Sequence, residues 1–429
     1  MTQILVLAYY FPPLGGAGVQ RTVAFVRHLR AHGYGCVVVT GPEADGPDWA
    51  PADETLAHLV PSGTPVLRVP GPAPGAGSAS TRRRARWLAR PSPFARWWVE
   101  GALAAARPVL GDVALVYASM SPFETAAAAA RLAREGGLPW VADLRDPWAL
   151  DDWAAYPTAL HRRLERRRML AALADAAAVV ANTAEATRAL SRAAPELAGR
   201  LETIPNGWER DDFAGPAPAR DDDAFRIVYT GFSHAAGRPA RRGLLGGATP
   251  GIEVPARSHL PLEAALRRLR EPGRRIELHV AGPARLDEPG AAVVDHGYLP
   301  HGEAVALMRS ADLLYLAMHG LPAGVRTTTV PGKTYEYLAA GRPILAALPA
   351  GGARALLAGR AGVRRWRPGD VDCLARGVEA ALAGELAGPP PAELLARFER
   401  RELTRRLAGV FDRVLAGRQP DSVPREERA

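Results

Sequence analysis

One stretch in the second half of the chain decides the predicted fold: Val330-Pro331-Gly332-Lys333-Thr334-Tyr335-Glu336-Tyr337-Leu338-Ala339-Ala340-Gly341-Arg342-Pro343-Ile344-Leu345. Pro331-Gly332 predicts a turn, no helix breaker follows until Gly341, and that glycine is a typical helix stop. The apolar run from Ile344 to Leu348 is typical of a buried strand. The stretch therefore predicts a loop, a short helix and a strand.

Glu336 falls in the first turn of this predicted helix. The helix dipole stabilises a negative charge there, and the two carboxylate oxygens can accept hydrogen bonds from the vicinal hydroxyls of a sugar or ribose ring. Acidic residues also occur at helix starts because of the dipole alone. The residue type leaves both interpretations open.

Length and composition predict a folded protein of more than one domain. At 429 residues the chain exceeds one compact core, so we expect two domains, and its 48% hydrophobic and 23% charged residues are ordinary for a globular protein. The net charge is +9 and rests on arginine, because Lys333 is the only lysine. Such a charge fits an anionic ligand, an acidic membrane surface or nucleic acid, and does not choose among them.

The cysteines and the N-terminus favour a cytoplasmic protein. Cys36 and Cys373 are the only cysteines, and Cys36 lies in a predicted buried strand, so neither a disulfide framework nor a cysteine metal site is expected. The first residues enter a strand without a basic region, and no apolar run approaches about 18 residues. Peripheral contact with a membrane stays open.

The chain begins with a βαβ pattern. Ile4 to Ala8 are continuously apolar, as in a parallel strand buried on both faces, and a helical pattern and a second strand at Cys36 to Thr40 follow. The first turn contains Gly15, Gly16 and Gly18, which let backbone N–H groups and a helix N-terminus approach an anion. A phosphate site and a plain tight turn are both consistent with these glycines.

A nicotinamide cofactor is not expected at this turn. Arg21 stands where the dinucleotide fingerprint needs its last glycine, and Thr40-Gly41-Pro42 ends the second strand without the carboxylate that would hold a ribose. The turn therefore favours a phosphate-bearing ligand of another kind.

Cations and indole rings are mixed between positions 82 and 98. This composition suits anionic lipid headgroups or other polyanions, although Pro91 and Pro93 interrupt any single amphipathic helix. A solvated basic face is the alternative, as it is for the arginine-rich helix predicted at 161–174. The residues concerned are Arg82, Arg83, Arg84, Arg86, Trp87, Arg90, Arg96, Trp97 and Trp98.

Polar residues accompany the ends of two further predicted strands. One strand leads to Ser119 and Ser121, and the next ends among Asp143, Arg145 and Asp146. Because the carboxyl ends of parallel strands face the ligand crevice in doubly wound folds, these side chains are candidates for ligand contact. A self-contained ion-pair network is the alternative for the three charged residues.

A second β/α alternation begins at Phe225, after an acidic, proline-containing segment that predicts a linker. Asp221-Asp222-Asp223 in this linker do not predict a metal site, because the acids alternate in direction and no second ligand cluster accompanies them. A Gly/Pro-rich insertion occupies 243–259. The preceding Arg238, Arg241 and Arg242 either reach an anion in the crevice or lie on a solvated loop.

The predicted fold class is α/β, with two Rossmann-like doubly wound domains facing across a cleft. The predicted boundaries are 1–207 for the N-terminal domain, 208–224 for the linker and 225–400 for the C-terminal domain. A C-terminal helix at 401–417, for which a return to the N-terminal domain is considered, and a disordered tail at 418–429 complete the chain.

Taken in order, these motifs resemble family four of the nucleotide-sugar-dependent glycosyltransferases, which have the two-domain GT-B architecture. The resemblance implies transfer of a sugar from an NDP-sugar with retention of anomeric configuration, and no metal or other cofactor. It also implies a glycan, lipid-linked or small-molecule acceptor and no nucleic-acid partner. It is carried by Ile4 to Leu7 with Phe11 to Gly18, and by Asp143 to Trp148, Ile204 to Gly207, Tyr229 to Gly231, Val280 to Gly282 and Pro331 to Leu345.

The resemblance also implies roles for individual residues. Glu336 matches the second glutamate of an E-x7-E motif, which holds the nucleotide ribose, whereas Thr328 replaces the first, which contacts the donor sugar. Lys333 would face the donor diphosphate, and the basic residues after the Gly231 strand would be Arg238 and Arg242.

The candidate residues form three groups. The catalytic candidates are Asp143, Lys333 and Arg238. The candidates for donor binding are Gly15, Gly16, Gly18, Gly231, Arg242, Lys333 and Glu336. The acceptor-side candidates are Ser119, Ser121, Arg145 and Asp146. A nucleotide-sugar epimerase on the same architecture and an inactive nucleotide-sugar-binding module are the alternative functions.

Overall fold

The computed structural model describes residues 1–43, 51–71, 87, 91–234, 245–269, 275–282, 290, 292–386 and 388–417. Several predicted elements lie outside these residues: the tail at 418–429 and Arg82, Arg83, Arg84, Arg86, Arg90, Arg238, Arg241 and Arg242.

Seven parallel strands form the sheet of the N-terminal domain, in the order β3-β2-β1-β4-β5-β6-β7. Strand β2 is buried along its whole length, as its continuous apolar run requires in a sheet covered on both faces. The strands are β1 (Thr2–Ala8), β2 (Tyr34–Thr40), β3 (Val66–Arg68), β4 (Leu115–Met120), β5 (Trp140–Leu144), β6 (Ala178–Ala181) and β7 (Leu201–Thr203).

Helices cover both faces of this sheet. They are α1 (Ala17–Leu29), α2 (Pro93–Ala106), α3 (Thr125–Glu135), α4 (Ala159–Leu173) and α5 (Ala184–Ala193). Part of the segment at 82–98, which mixes cations and indole rings, is buried by this packing. Trp98 in α2 is fully buried, and its indole N–H donates to Thr125 Oγ1 at 2.9 Å. The prediction that the Trp98 indole contributes to a surface patch is therefore wrong, while Trp87 and Arg96 are exposed.

Six parallel strands form the C-terminal sheet, in the order β10-β9-β8-β11-β12-β13. The strands are β8 (Phe225–Thr230), β9 (Ile276–Ala281), β10 (Val293–Gly297), β11 (Leu313–Ala317), β12 (Ile344–Ala347) and β13 (Val363–Trp366). The helices are α6 (Leu260–Leu266), α7 (His301–Arg309), α8 (Lys333–Ala340), α9 (Gly352–Leu356), α10 (Val371–Leu382) and α11 (Ala392–Ala396).

The stretch that decided the fold prediction forms a loop, a helix and a strand, as predicted. Helix α8 ends where Gly341 adopts the left-handed conformation with φ of 65°, which glycine accepts without a Cβ penalty. Strand β12 follows and is buried along its length. The first turn of α8 thereby stands at the edge of the sheet where the strands end.

The last helix, α12 (Arg400–Ala416), packs on the N-terminal sheet. Leu403, Leu407 and Phe411 join the core that contains Ile4, and Tyr34 Oη donates to Asp412 Oδ1 at 2.5 Å. The chain therefore crosses between the domains twice, once at the linker and once before α12.

In each sheet the strand order reverses at one point, between β1 and β4 and between β8 and β11. Ligands of doubly wound sheets bind at such points, outside the carboxyl ends of the strands. The predicted α/β fold class with two doubly wound domains is confirmed. No helix within the described ranges is both long and apolar enough to cross a membrane.

Candidate functional site

A crevice of about 710 Å³ lies between the two domains, where the carboxyl ends of both sheets face each other. Its volume falls in the range of small-molecule sites. The lining residues that matter below are Gly16, Gly18, Ser121, Arg145, Asp146, Asp151 and Trp153 from the N-terminal domain, and Gly231, His234, Arg257, His319, Lys333 and Glu336 from the C-terminal domain.

The N-terminal side presents a glycine turn and a guanidinium together. Gly16 caps α1 with φ of 99°, and a Cβ on Gly18 would lie 1.6 Å from Nη1 of Arg145. Only glycine at position 18 therefore lets the Arg145 guanidinium reach the start of α1, where its Nε donates to the carbonyl of Met120 at 3.0 Å. A helix N-terminus beside a cation is suited to an anion.

Lys333 begins α8 on the opposite side of the crevice. Its Nζ donates to the carbonyl of Thr230 at 2.7 Å and lies 3.8 Å from the ring centroid of Tyr229. Burial and the charge of Arg257 hold the pKa of the Lys333 amine well below its usual value. The amine is thus held at the end of β8, beside Gly231, where burial disfavours its charged form.

Arg257 is a crevice residue that the sequence analysis missed. It follows the short 3₁₀ helix Val254–Ala256 in the predicted insertion, and its guanidinium carbon lies 5.1 Å from the ring centroid of Trp153. Its charge contributes to the lowered pKa values of His234 and His319. A signal was available in the sequence, because Arg257 is a cation just before the start of α6 (Leu260–Leu266), the α-helix that follows β8 in the described part of the chain.

Glu336 lies one helical turn after Lys333 and lines the same crevice. Its side chain is 12% exposed, and the nearest cation is Arg400, with Nη2 3.9 Å from Oε1 of Glu336. The same Nη2 donates to Gln20 Oε1 at 2.9 Å. Because the ion pair with Arg400 is long, the Glu336 carboxylate keeps acceptor capacity for a ligand.

The side chains of Asp143 and Ser119, both predicted to belong to the site, do not reach the crevice. Asp143 is fully buried, accepts two hydrogen bonds of 2.9 Å from Arg21, and accepts a third from Tyr117 Oη at 2.5 Å. Ser119 is also buried, with its hydroxyl 3.0 Å from Thr22 Oγ1. Direct contact of these two side chains with substrate, as predicted, is therefore wrong.

The reason is their place within the strands. Asp143 belongs to β5 and Ser119 to β4, so both lie inside the sheet, whereas Arg145, Asp146 and Ser121 follow the strand ends and line the crevice. Of the two interpretations of this polar group, a buried ion pair therefore applies to Asp143, and a position at the ligand crevice applies to Arg145 and Asp146.

The two domains touch on both sides of the crevice. On one side Asp53 Oδ2 accepts hydrogen bonds from Tyr298 Oη at 3.1 Å and from the backbone N–H of His301 at 2.9 Å. On the other side Thr183 Oγ1 donates to the carbonyl of Thr328 at 2.5 Å. A Cβ on Gly15 would lie 2.3 Å from Tyr298 Oη, so Gly15 serves this domain contact instead of lining the crevice.

No metal-ligand cluster of three or more His, Cys, Asp or Glu side chains occurs within the part of the chain that the structure describes. In the linker, Asp222 forms ion pairs of 2.9 Å with Arg220 and 2.7 Å with Arg226. These pairs give this carboxylate a local structural role.

Residues 15–207 match a protein family described as Glycosyl transferase 4-like domain. A search of curated proteins found no match. The family match begins at the glycine turn, after strand β1, and extends through strands β2 to β7 of the N-terminal domain.

Solved structures of the same architecture cover nearly the whole chain. Anabaena HepE, in complex with UDP and glucose, has a TM-score of 0.62 at 17% identity over 96% of this chain and 100% of its own. Sucrose-phosphate synthase from Thermosynechococcus elongatus has a TM-score of 0.65 at 14% identity over 97% of this chain and 100% of its own. A putative UDP-N-acetylglucosamine 2-epimerase from Listeria monocytogenes has a TM-score of 0.53 at 12% identity over 95% and 94%. These structures confirm the GT-B fold.

Proposed function

We propose that the protein transfers a sugar from a nucleoside-diphosphate sugar to an acceptor bound in the same crevice, with retention of anomeric configuration and without a divalent metal. The observation that carries the proposal is the pair on helix α8, where Lys333 and Glu336 face one crevice from adjacent turns. An ammonium suits a diphosphate, and a carboxylate suits the vicinal hydroxyls of a ribose.

The diphosphate is assigned to the space between the two strand-end loops. Lys333 and Arg257 approach it from the C-terminal domain, and the glycine turn with Arg145 approaches it from the N-terminal domain. Cleavage of the glycosyl phosphate bond leaves negative charge on the leaving diphosphate, which these cations and the α1 N-terminus stabilise as it develops. Cations in fixed positions supply the charge that Mg²⁺ supplies in metal-dependent transferases.

In the proposed reaction the acceptor oxygen forms a bond to the anomeric carbon on the face from which the diphosphate departs. The leaving phosphate oxygen takes the proton of the acceptor hydroxyl, so no protein nucleophile is required. The contacts on both sides of the crevice, through Asp53 and Thr183, hold the two domains together around the proposed site. A crevice closed over the bound substrates would exclude water from the oxocarbenium-like sugar.

The acceptor is assigned to the N-terminal side, near Ser121, Arg145 and Asp146. A glycan, a lipid-linked glycan or a small molecule would each fit that side. Contact with an anionic membrane would involve the exposed Trp87 and Arg96. Sedimentation with anionic liposomes, comparing the wild type with a variant in which Arg82, Arg83 and Arg84 are all alanine, tests this contact.

A nucleotide-sugar epimerase is the second candidate, favoured by the likeness to the Listeria protein. Thermal shift with UDP-, GDP-, dTDP- and ADP-sugars identifies the donor, because a ligand bound only to the folded state raises the apparent stability. Product analysis then separates the functions. Release of nucleoside diphosphate that depends on an acceptor supports transfer, a changed sugar without acceptor supports epimerisation, and binding without turnover supports an inactive module.

The effect of a metal chelator on the transfer rate tests metal independence. We expect EDTA to leave the transfer rate unchanged, with a metal-dependent glycosyltransferase as the control that EDTA inhibits. A rate that falls with EDTA and returns with Mg²⁺ or Mn²⁺ contradicts the proposed charge stabilisation by protein cations.

A further inference from the structure

His319 is a buried imidazole in the crevice, and among the residues that the structure describes it has no hydrogen-bond partner. It follows strand β11 by two residues and is 2% exposed, and neither ring nitrogen has a partner among the described residues. An unsatisfied buried polar group costs free energy that a folded protein normally avoids. Because this side chain lines a ligand crevice, we expect a ligand to supply a missing partner.

The ring of His319 is held in place by packing. It meets the edge of the Trp153 ring at a centroid distance of 4.8 Å and an interplanar angle of 82°, and Arg257 lies over the same indole. Trp153 also contacts His234, with ring centroids 4.8 Å apart. The orientation of His319 is therefore fixed across the domain boundary, as a residue that recognises a ligand requires.

The charge state of His319 distinguishes it from the residues assigned to the diphosphate. Burial and the neighbouring Arg257 lower the pKa of His319 to about 4, so the ring is neutral near pH 7. A neutral imidazole offers one N–H donor and one nitrogen acceptor, and both can hydrogen-bond a hydroxyl group. Because the ring carries no positive charge, it does not attract a phosphate electrostatically.

We propose that His319 is the sugar-recognising residue of this crevice and hydrogen-bonds a hydroxyl of a neutral donor sugar. The inference rests on the proposed function, because it places the sugar of an NDP-sugar beside β11, with the diphosphate toward Lys333 and the ribose at Glu336. It also makes a prediction about binding that the proposed function alone does not make. His319 contributes to binding of the sugar and not to binding of the nucleotide.

The test compares each nucleoside diphosphate with its sugar derivative by calorimetric titration. The probes are UDP with UDP-glucose, GDP with GDP-mannose, dTDP with dTDP-glucose and ADP with ADP-glucose, and the pair that binds the wild type most tightly is used. His319→Ala should leave the Kd of the nucleoside diphosphate unchanged and weaken the NDP-sugar about tenfold. His319→Gln, whose amide supplies a donor and an acceptor, should recover most of the loss.

His279→Gln is the matched control, because His279 is a buried histidine of β9 that bonds His296 at 2.9 Å and Glu277 at 3.1 Å and does not line the crevice. This control should leave both Kd values unchanged. Equal loss of nucleoside diphosphate and NDP-sugar in His319→Ala, or no loss of either, overturns the assignment of His319. A wild type that binds no NDP-sugar at all overturns the proposed function itself, which is a separate outcome.

Discussion

The carboxyl ends of the two sheets face each other, but their polar side chains are satisfied in different ways. On the N-terminal side Asp143 receives hydrogen bonds from Arg21 and Tyr117, inside the sheet. On the C-terminal side, among the residues that the structure describes, the His319 ring nitrogens have no hydrogen-bond partner, and the Glu336 carboxylate lies 3.9 Å from the Arg400 guanidinium. A polar group that the protein already satisfies contributes to stability, and one that it leaves unsatisfied is available to a ligand.

The largest expected effect is on the satisfied side. Asp143→Asn leaves the Arg21 cation buried without its counter-charge, so the free energy of unfolding should fall by about 3–5 kcal/mol. Urea unfolding measures the change. Asp146→Asn is the control, because the neighbouring carboxylate is exposed and its loss should change stability by less than about 0.5 kcal/mol. Full stability of Asp143→Asn would remove the contrast between the two sides.

Glu336→Ala should have the opposite effect to Asp143→Asn, because it should weaken ligand binding and leave stability unchanged. Loss of hydrogen bonds to a charged acceptor should weaken nucleoside-diphosphate binding roughly ten- to hundredfold while the unfolding free energy stays near the wild-type value. Calorimetric titration and urea unfolding of one preparation give both numbers. Glu303→Ala, which removes an exposed carboxylate on α7, should change neither. Unchanged nucleotide affinity in Glu336→Ala would exclude the assigned ribose contact.

His319 should make stability sensitive to acid. Its pKa is about 4 when folded and near 6.5 when unfolded, so the unfolded state binds more protons between these values and stability falls as the pH drops through them. At pH 5 this contribution is about 2 kcal/mol relative to pH 7. Urea unfolding at pH 7 and pH 5 should show a smaller acid loss in His319→Gln, and an equal loss in both proteins contradicts a buried neutral imidazole.

Lys333 should couple nucleotide binding to proton uptake. Its pKa is lowered by burial in the free protein, and a diphosphate raises it, so the amine gains a proton on binding. Above the lowered pKa, affinity should fall as the pH rises, by up to about tenfold per pH unit. Titration in two buffers of different ionisation enthalpy measures the uptake. Lys333→Arg stays charged and should show none, and an uptake that persists in this variant assigns the proton to another group.

Much of the fold followed from the sequence because continuous apolar runs and glycine stops are local signals. The helix at Lys333 and the strand at Ile344 were both predicted, and the structure has them at those positions. The burial of Trp98 was not predicted, since composition does not distinguish a surface indole from one that packs across the sheet and bonds Thr125.

The site was predicted less completely, because it depends on strand ends and on contacts between distant segments. The sequence placed Asp143 and Arg145 in one polar group. Strand β5 ends at Leu144, so Asp143 lies within the strand, whereas Arg145 lies just beyond its end and faces the crevice. Arg257 was assigned to an insertion, although the fold brings it to the edge beside Lys333. His319 carried the same signal as Asp143, a polar residue at the end of a buried strand, and was overlooked because no acid or base accompanied it in sequence.

The most direct test of nucleotide binding at the C-terminal edge uses Lys333, the only lysine in the chain. A small amine-acylating reagent has two amine targets, Lys333 and the N-terminal amine, and peptide mass spectrometry quantifies each. We expect the nucleoside diphosphate that binds the wild type to protect Lys333 from acylation while the N-terminal amine reacts at its usual rate. Acylation of Lys333 at an equal rate with and without that nucleotide would contradict a diphosphate site at this edge.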